Sequence, residues 1–205
     1  GQRWGNPLYD WEKIKKDDFS WWRKRMEHSA NLYDVIRIDH FIGTVKYYAI
    51  PAEDNDARNG KWCKGPGMDL IKAIDESING KSIIAEDLGV KMPEVVEVLE
   101  KSGYPGMKVL EFAFDGDRKN DHLPYNWIPN VVAYGGTHDN DTIQGWFASA
   151  DPVDTEWARE YFRLTKEEWQ NVFDSLPSFD SSAFIEVGFV PPEGAVSFFS
   201  VTTDA

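Results

Sequence analysis

The sequence is poor in several things, and each shortage excludes something. It has one cysteine, Cys63, so neither an internal disulfide nor a CxxC metal knuckle can form. Basic residues are scarce: 22 Lys and Arg stand against 35 Asp and Glu, a net charge of −13 over 205 residues. Nucleic acid and anionic membrane surfaces are the wrong partners for such a chain, because both are bound through basic patches. No apolar run approaches the roughly 18 residues of a membrane span. The opening Gly1-Gln2-Arg3-Trp4 has no initiating Met and no apolar centre of a signal peptide. The chain therefore reads as a fragment or processed piece, and a targeting signal would have been lost with an upstream part. What is plentiful is aromatic surface, with nine Trp, eight Tyr and twelve Phe. Flat rings in that number suit a heavy core or a neutral, ring-shaped ligand such as sugar.

Helix-like and strand-like segments alternate from Phe19 to about Phe147. Trp21 to Leu32 reads as a helix with Trp22, Met26, Ser29 and Ala30 on one face, and Trp21-Trp22 is expected in the core. Tyr33 to Asp39 is strand-like and rich in β-branched residues. Ile50 to Gly67 reads as a polar loop. Met68 to Ile78 is helical, with Met68, Ile71, Ile74 and Ile78 at helical spacing and Gly80 as its end. Ser82 to Glu86 is a second strand. Pro93 opens a helix that carries Val95, Val98 and Leu99 and stops at Gly103. Met107 to Phe114 and Asn130 to Tyr134 are a third and fourth strand. Thr155 to Val172 is a last helical region, with Trp157, Tyr161 and Leu164 on one face. Short apolar strands separated by helices imply parallel pairing in an α/β fold. Four strands are half of an eight-stranded (β/α)8 barrel, for which about 250 residues are typical. We expect residues 1–170 to form a partial barrel and 171–205 a divergent tail.

Three carboxylates, Asp39, Glu86 and Asp139, follow three of these strands. Both doubly wound sheets and barrels build their sites at that end of the strands. Such a set suits retaining glycoside chemistry, which needs one ionised nucleophile and one carboxylic acid about 5–5.5 Å away. Strand alternation puts Arg37 on the face of Asp39, where its guanidinium favours the ionised form. Glu86 follows Ile83-Ile84-Ala85, so apolar surroundings are expected to keep it protonated. His138 and Asp139 are placed to hydrogen-bond sugar hydroxyls. Other readings exist. A strand-end Asp is often a turn former or cap. His138-Asp139-Asn140-Asp141 is oxygen-rich enough for a cation but fails the EF-hand spacing. Gly135-Gly136-Thr137 lacks a phosphate-binding signature, and Cys63 is read as idle. We expect no metal. Trp4, in a Gly/Pro/Asn loop, is a candidate for stacking on a sugar face.

Several blocks, in order, resemble a known family. They are Gly1 to Trp11 (GQRWGNPLYDW), Arg37-Ile38-Asp39-His40-Phe41, Ala52 to Pro66 with its ARNGKWCKGP stretch, Ile84 to Gly89, Pro105 to Asp117, and Gly136 to Thr142 (GTHDNDT). The chain is similar through about Trp169 to the second half of the 4-α-glucanotransferases, or amylomaltases, of glycoside hydrolase family 77. The segment after Gln170 does not continue the likeness. The resemblance implies an α-amylase-clan TIM barrel, here about strands 4–7, acting in the cytoplasm on α-1,4-glucans and maltooligosaccharides with no cofactor. It implies Asp39 as nucleophile, Glu86 as general acid/base and Asp139 as transition-state stabiliser. Arg37, His138, His40, Asn140 and Trp4 are the implied substrate contacts. Because the early strands are missing, this stretch alone is expected to be poorly stable and weakly active. The competing readings are a non-catalytic glucan-binding fragment and an α-amylase-clan hydrolase.

Overall fold

The computed structural model describes residue 3, residues 5–165 and residue 167. Trp4 and the expected tail, 171–205, therefore lie outside the described residues. In chain order the helices and strands are α1 Trp11–Lys16, α2 Ser20–Leu32, β1 Val35–Ile38, α3 Ile42–Val45, β2 Lys46–Ala49, β3 Lys61–Lys64 and α4 Met68–Asp75. They continue as β4 Ser82–Ala85, α5 Pro93–Ser102, β5 Gly106–Val109, β6 Val131–Tyr134, α6 Ile143–Ser149 and α7 Pro152–Tyr161. The chain divides into two compact units, Gly1–Gly106 and Met107–Ala205.

In the first unit, β1 and β4 pair in parallel, with Val35 opposite Ser82 and Ile38 opposite Ala85. Parallel strands need a crossover, and α4 supplies the helix of this one. Its periodicity explains why it packs: Ile71 and Ile74 are fully buried with Leu70 and Ala73, and Ile78 is buried in the turn beyond it. α2 adds Met26 and Ala30 to the same core, and α5 adds Val95 with Val98 and Leu99 against its edge. Pro93 opens α5, and Gly103 ends it in the left-handed conformation at φ +71°.

Two expectations need correction here. Trp21 is not in the core: it is 50% exposed. It sits instead in a cluster of rings with Tyr9, Trp11 and Trp22, with the Arg25 guanidinium 5.2 Å from the Trp21 ring centre. The half-buried Trp22 does pack on the core as expected. The stretch from Ile50 to Gly67 is not all loop, because it contains β3. That strand pairs antiparallel with β2, Tyr48 facing Trp62 across the ladder with ring centres 5.2 Å apart. An aromatic cross-strand pair of this kind stabilises an otherwise polar ribbon.

In the second unit, β5 and β6 are hydrogen-bonded neighbours. The third strand is shorter than expected, because after Val109 the chain turns into a 3-10 helix at Leu110–Phe112. A smaller core forms around Phe114, Ala113, Leu123 and Ala158, with Trp157 and Tyr161 of α7 packed on it. α7 begins at Pro152 and ends at Tyr161, so Leu164 lies beyond its last turn.

Candidate active site

Parallel register brings Asp39 and Glu86 together. Each is the residue just past the Ile38–Ala85 pair that closes the β1–β4 ladder. The Glu86 N–H donates to the Ile38 carbonyl at 2.9 Å, and the Phe41 N–H donates to the Glu86 carbonyl at 2.9 Å. The two backbones thus run side by side past the strand ends, at a strand spacing of about 4.8 Å.

Arg37 donates from Nη2 to Asp39 Oδ1 at 2.6 Å, the ion pair that strand alternation predicts. Arg37 is half-buried, while the Asp39 side chain is 70% exposed and open to an incoming ligand. His40 turns the chain immediately afterwards. Its φ of +51° is the left-handed region, uncommon for a residue with a side chain. That turn aims the His40 N–H at Glu86 Oε2, 2.7 Å away. The other oxygen, Oε1, accepts the Leu88 N–H at 2.9 Å. Glu86 therefore does not sit among apolar groups as the sequence suggests. Both of its oxygens accept one backbone N–H each, which leaves a second lone-pair site on either oxygen for a proton.

The third carboxylate is held by different means. In the second unit, Thr137 to Asn140 form a tight turn in which the Asn140 N–H donates to the Thr137 carbonyl at 3.0 Å. Asn140 Oδ1 accepts both the Thr137 N–H at 2.9 Å and the Thr137 hydroxyl at 2.8 Å. The Asn140 oxygen is thus spent on the turn, and only its amide nitrogen remains for a substrate contact. His138 and Asp139 stand exposed at the tip, with His138 Nε2 3.4 Å from Asp139 Oδ2. Asp141 Oδ1 accepts the Thr142 N–H at 2.7 Å, and Thr142 Oγ1 caps α6 through the Gly145 N–H at 3.0 Å. Among the described residues, no group of three or more His, Cys, Asp or Glu side chains could hold a metal ion.

One acidic residue at this loop escaped the sequence reading. Glu111 lies in the 3-10 turn after β5 and is only 9% exposed. Its N–H donates to the Gly135 carbonyl at 3.2 Å. Burial, and then the charge of Asp141, push its carboxyl group up to about 7. In the sequence it is one polar letter in the apolar run Met107 to Phe114, where a single strand assignment hid it.

A family model described as glycoside hydrolase family 77, 4-alpha-glucanotransferase, matches residues 1–183. The match passes Gln170, where the sequence reading ended the likeness. A 4-alpha-glucanotransferase from Clostridium butyricum is 49% identical over 172 residues, covering 83% of this chain and 35% of that protein. The chloroplastic/amyloplastic 4-alpha-glucanotransferase of Solanum tuberosum is 45% identical over 197 residues, covering 96% of this chain and 31% of that protein. The solved amylomaltase from Streptococcus agalactiae, in complex with acarbose, superposes with a TM-score of 0.76 at 39% identity, covering 82% of this chain and 34% of that one. The chain thus spans about a third of the length of the relatives it matches. The structural likeness assigns an α/β fold of the TIM-barrel type. No helix among the described residues is long and apolar enough to cross a membrane.

Proposed function

The chain belongs to the 4-alpha-glucanotransferase family, glycoside hydrolase family 77, and from that premise we propose that it carries the catalytic carboxylates of an enzyme that transfers α-1,4-glucan segments between maltooligosaccharides. In this reading β1, β4, β5 and β6 are strands 4–7 of the barrel, and the enzyme works in the cytoplasm without a cofactor. The observation that carries the proposal is the side-by-side placement of Asp39 and Glu86 beyond one parallel strand pair, with Arg37 bonded to Asp39.

The chemistry follows from that placement. Asp39, exposed and ion-paired with Arg37, attacks the anomeric carbon of the donor. Glu86, in its protonated form, gives its proton to the departing 4-oxygen as the glycosidic C–O bond breaks. A glycosyl ester on Asp39 results, and the shortened glucan leaves. Glu86, now a carboxylate, takes the proton of an acceptor 4-hydroxyl, whose oxygen attacks the same carbon and releases Asp39. Two inversions give net retention. Asp139 is assigned to stabilising the positive charge that develops on the ring, and His138, His40, Asn140 and Trp4 to sugar contacts. These assignments rest on the order and spacing of the family's motifs in the sequence.

The test is to incubate the intact gene product with maltotriose. Glucose together with maltooligosaccharides longer than the substrate is the expected outcome, and Asp39→Asn should abolish both. Unchanged turnover in that variant would remove Asp39 from the nucleophile role. Reducing ends without longer products would point to hydrolysis instead.

A further inference from the structure

The loop that carries His138 and Asp139 has an internal brace. Gly136, at the base of the loop, is confined from two sides. A Cβ placed there would lie 2.7 Å from Glu111 Oε1 and 3.1 Å from the Asp141 carbonyl oxygen. Only a residue with no side chain lets the Glu111 carboxyl group approach the backbone this closely. Glu111 Oε1 is buried and has no hydrogen-bond partner. A buried oxygen of this kind is costly if charged and much less so if neutral. Its own backbone N–H meanwhile holds the Gly135 carbonyl, so one residue grips two successive positions of the loop base.

We propose that Glu111 is a positioning residue: its carboxyl group, packed against Gly136, fixes the 137–140 turn and with it the placement of His138 and Asp139. The proposal deepens the functional reading above and rests on it for what Asp139 does. The brace itself does not depend on that reading.

The surroundings of Glu111 say how the brace would respond to its proton. The charged group acting on it is Asp141, in the segment that leads into α6. His138 and Asp139 stand exposed at the tip of the same loop, and His122 accepts the Val109 N–H at Nδ1 at 3.0 Å with its ring meeting that of Phe112 edge-on. With Glu111 protonated, the Glu111–Asp141 pair carries one negative charge, and the loop base is close-packed. Loss of the proton adds a second negative charge within reach of Asp141 and leaves Glu111 Oε1 a buried charged oxygen with no donor. The loop base must then open, and the turn at its tip loses its fixed position.

The experiment compares the intact protein with Glu111→Gln, which keeps the shape without the charge, and with Asp141→Asn, which removes the opposing charge. Wild-type kcat for transfer from maltotriose should fall by about threefold to tenfold from pH 6 to pH 8. That fall should be absent in Glu111→Gln and reduced in Asp141→Asn, with KM little changed in both. A second readout needs no activity: the melting temperature of the wild type should drop over the same range while that of Glu111→Gln stays level. Should one variant fail to fold, the other still decides. Profiles of activity and melting that superimpose on the wild type, or a loss equal at every pH, would overturn the brace. A level wild-type melting temperature would overturn it whatever the glucan chemistry proves to be, whereas a sloping one in a protein without transfer activity would sink only the functional reading.

Discussion

The carboxylates at the ends of β1 and β4 and the carboxylate at the 137–140 tip are held by opposite means. In the first unit the backbone does the holding. Ladder register places Asp39 and Glu86 side by side, and the Glu86 oxygens are fixed by the N–H groups of His40 and Leu88. In the second unit side chains add to a single backbone bond, from the Asn140 N–H to the Thr137 carbonyl. Asn140 and Thr137 tie the turn, and Glu111 packs beneath it. Backbone-held geometry is insensitive to most single substitutions, because every residue offers the same N–H. Turn-held geometry depends on a few named groups and, through Glu111, on a proton. The first unit should therefore respond to substitution through chemistry alone, and the second through chemistry, stability and pH together.

The largest effect expected is from Asp39→Asn. It leaves the ladder intact and removes the proposed nucleophile, so transfer should fall by at least about 10⁴-fold, measured by product chromatography with circular dichroism unchanged. A marked loss of fold would mean that the strand-end site is less backbone-determined than it looks. Next is Glu86→Gln, which keeps an oxygen for the His40 N–H but cannot shuttle a proton. A loss of about 10²–10⁴-fold is expected.

The third prediction concerns pH and the second unit. The Glu111 carboxyl group is raised from an ordinary 4.5 to about 7. Between those values the folded chain keeps a proton that the unfolded chain has released. Stability is therefore highest below about 4.5 on this account, declines as pH rises toward about 7, and is level above it. The decline should be at most about 3 kcal/mol, and Glu111→Gln should abolish it, as read from urea midpoints at pH 5 and pH 8. The smallest effect is from Asn140→Ala, which leaves the Thr137 N–H and hydroxyl without their acceptor. It should cost about 1 kcal/mol and lower transfer more than it raises KM. No change in either would mean that the turn is held by something other than its own side chains.

How much of this was legible in the sequence follows from the same contrast. Arg37 and Asp39 were readable because strand alternation is a strict rule, and α4 and α5 were readable from apolar spacing and from Pro93 and Gly103. The β2–β3 ribbon was not, because its strands, Lys46–Ala49 and Lys61–Lys64, are flanked by charge and separated by a loop of Asp, Asn and Gly. Only the Tyr48–Trp62 contact, which is tertiary, reveals the pairing. α6 was missed because Gly145 interrupts its apolar pattern. Glu86 was located but its surroundings were misjudged: the N–H groups that meet its carboxyl oxygens come from the turns at His40 and Leu88, which strand periodicity does not show. Glu111 was invisible for the converse reason, since its burial is decided by Gly136 and Asp141, far along the chain.

Five ring pairs among Tyr9, Trp11, Trp21 and Trp22, with centres 4.9 to 6.2 Å apart, make an optical signal. Chromophores this near one another exchange excitation, and their fixed mutual tilt gives a paired band of opposite sign in ultraviolet dichroism. Loss of the share that comes from the Trp11–Trp22 pair would mark the moment when α1 and α2 part, so the corner supplies a clock for unfolding without any added dye.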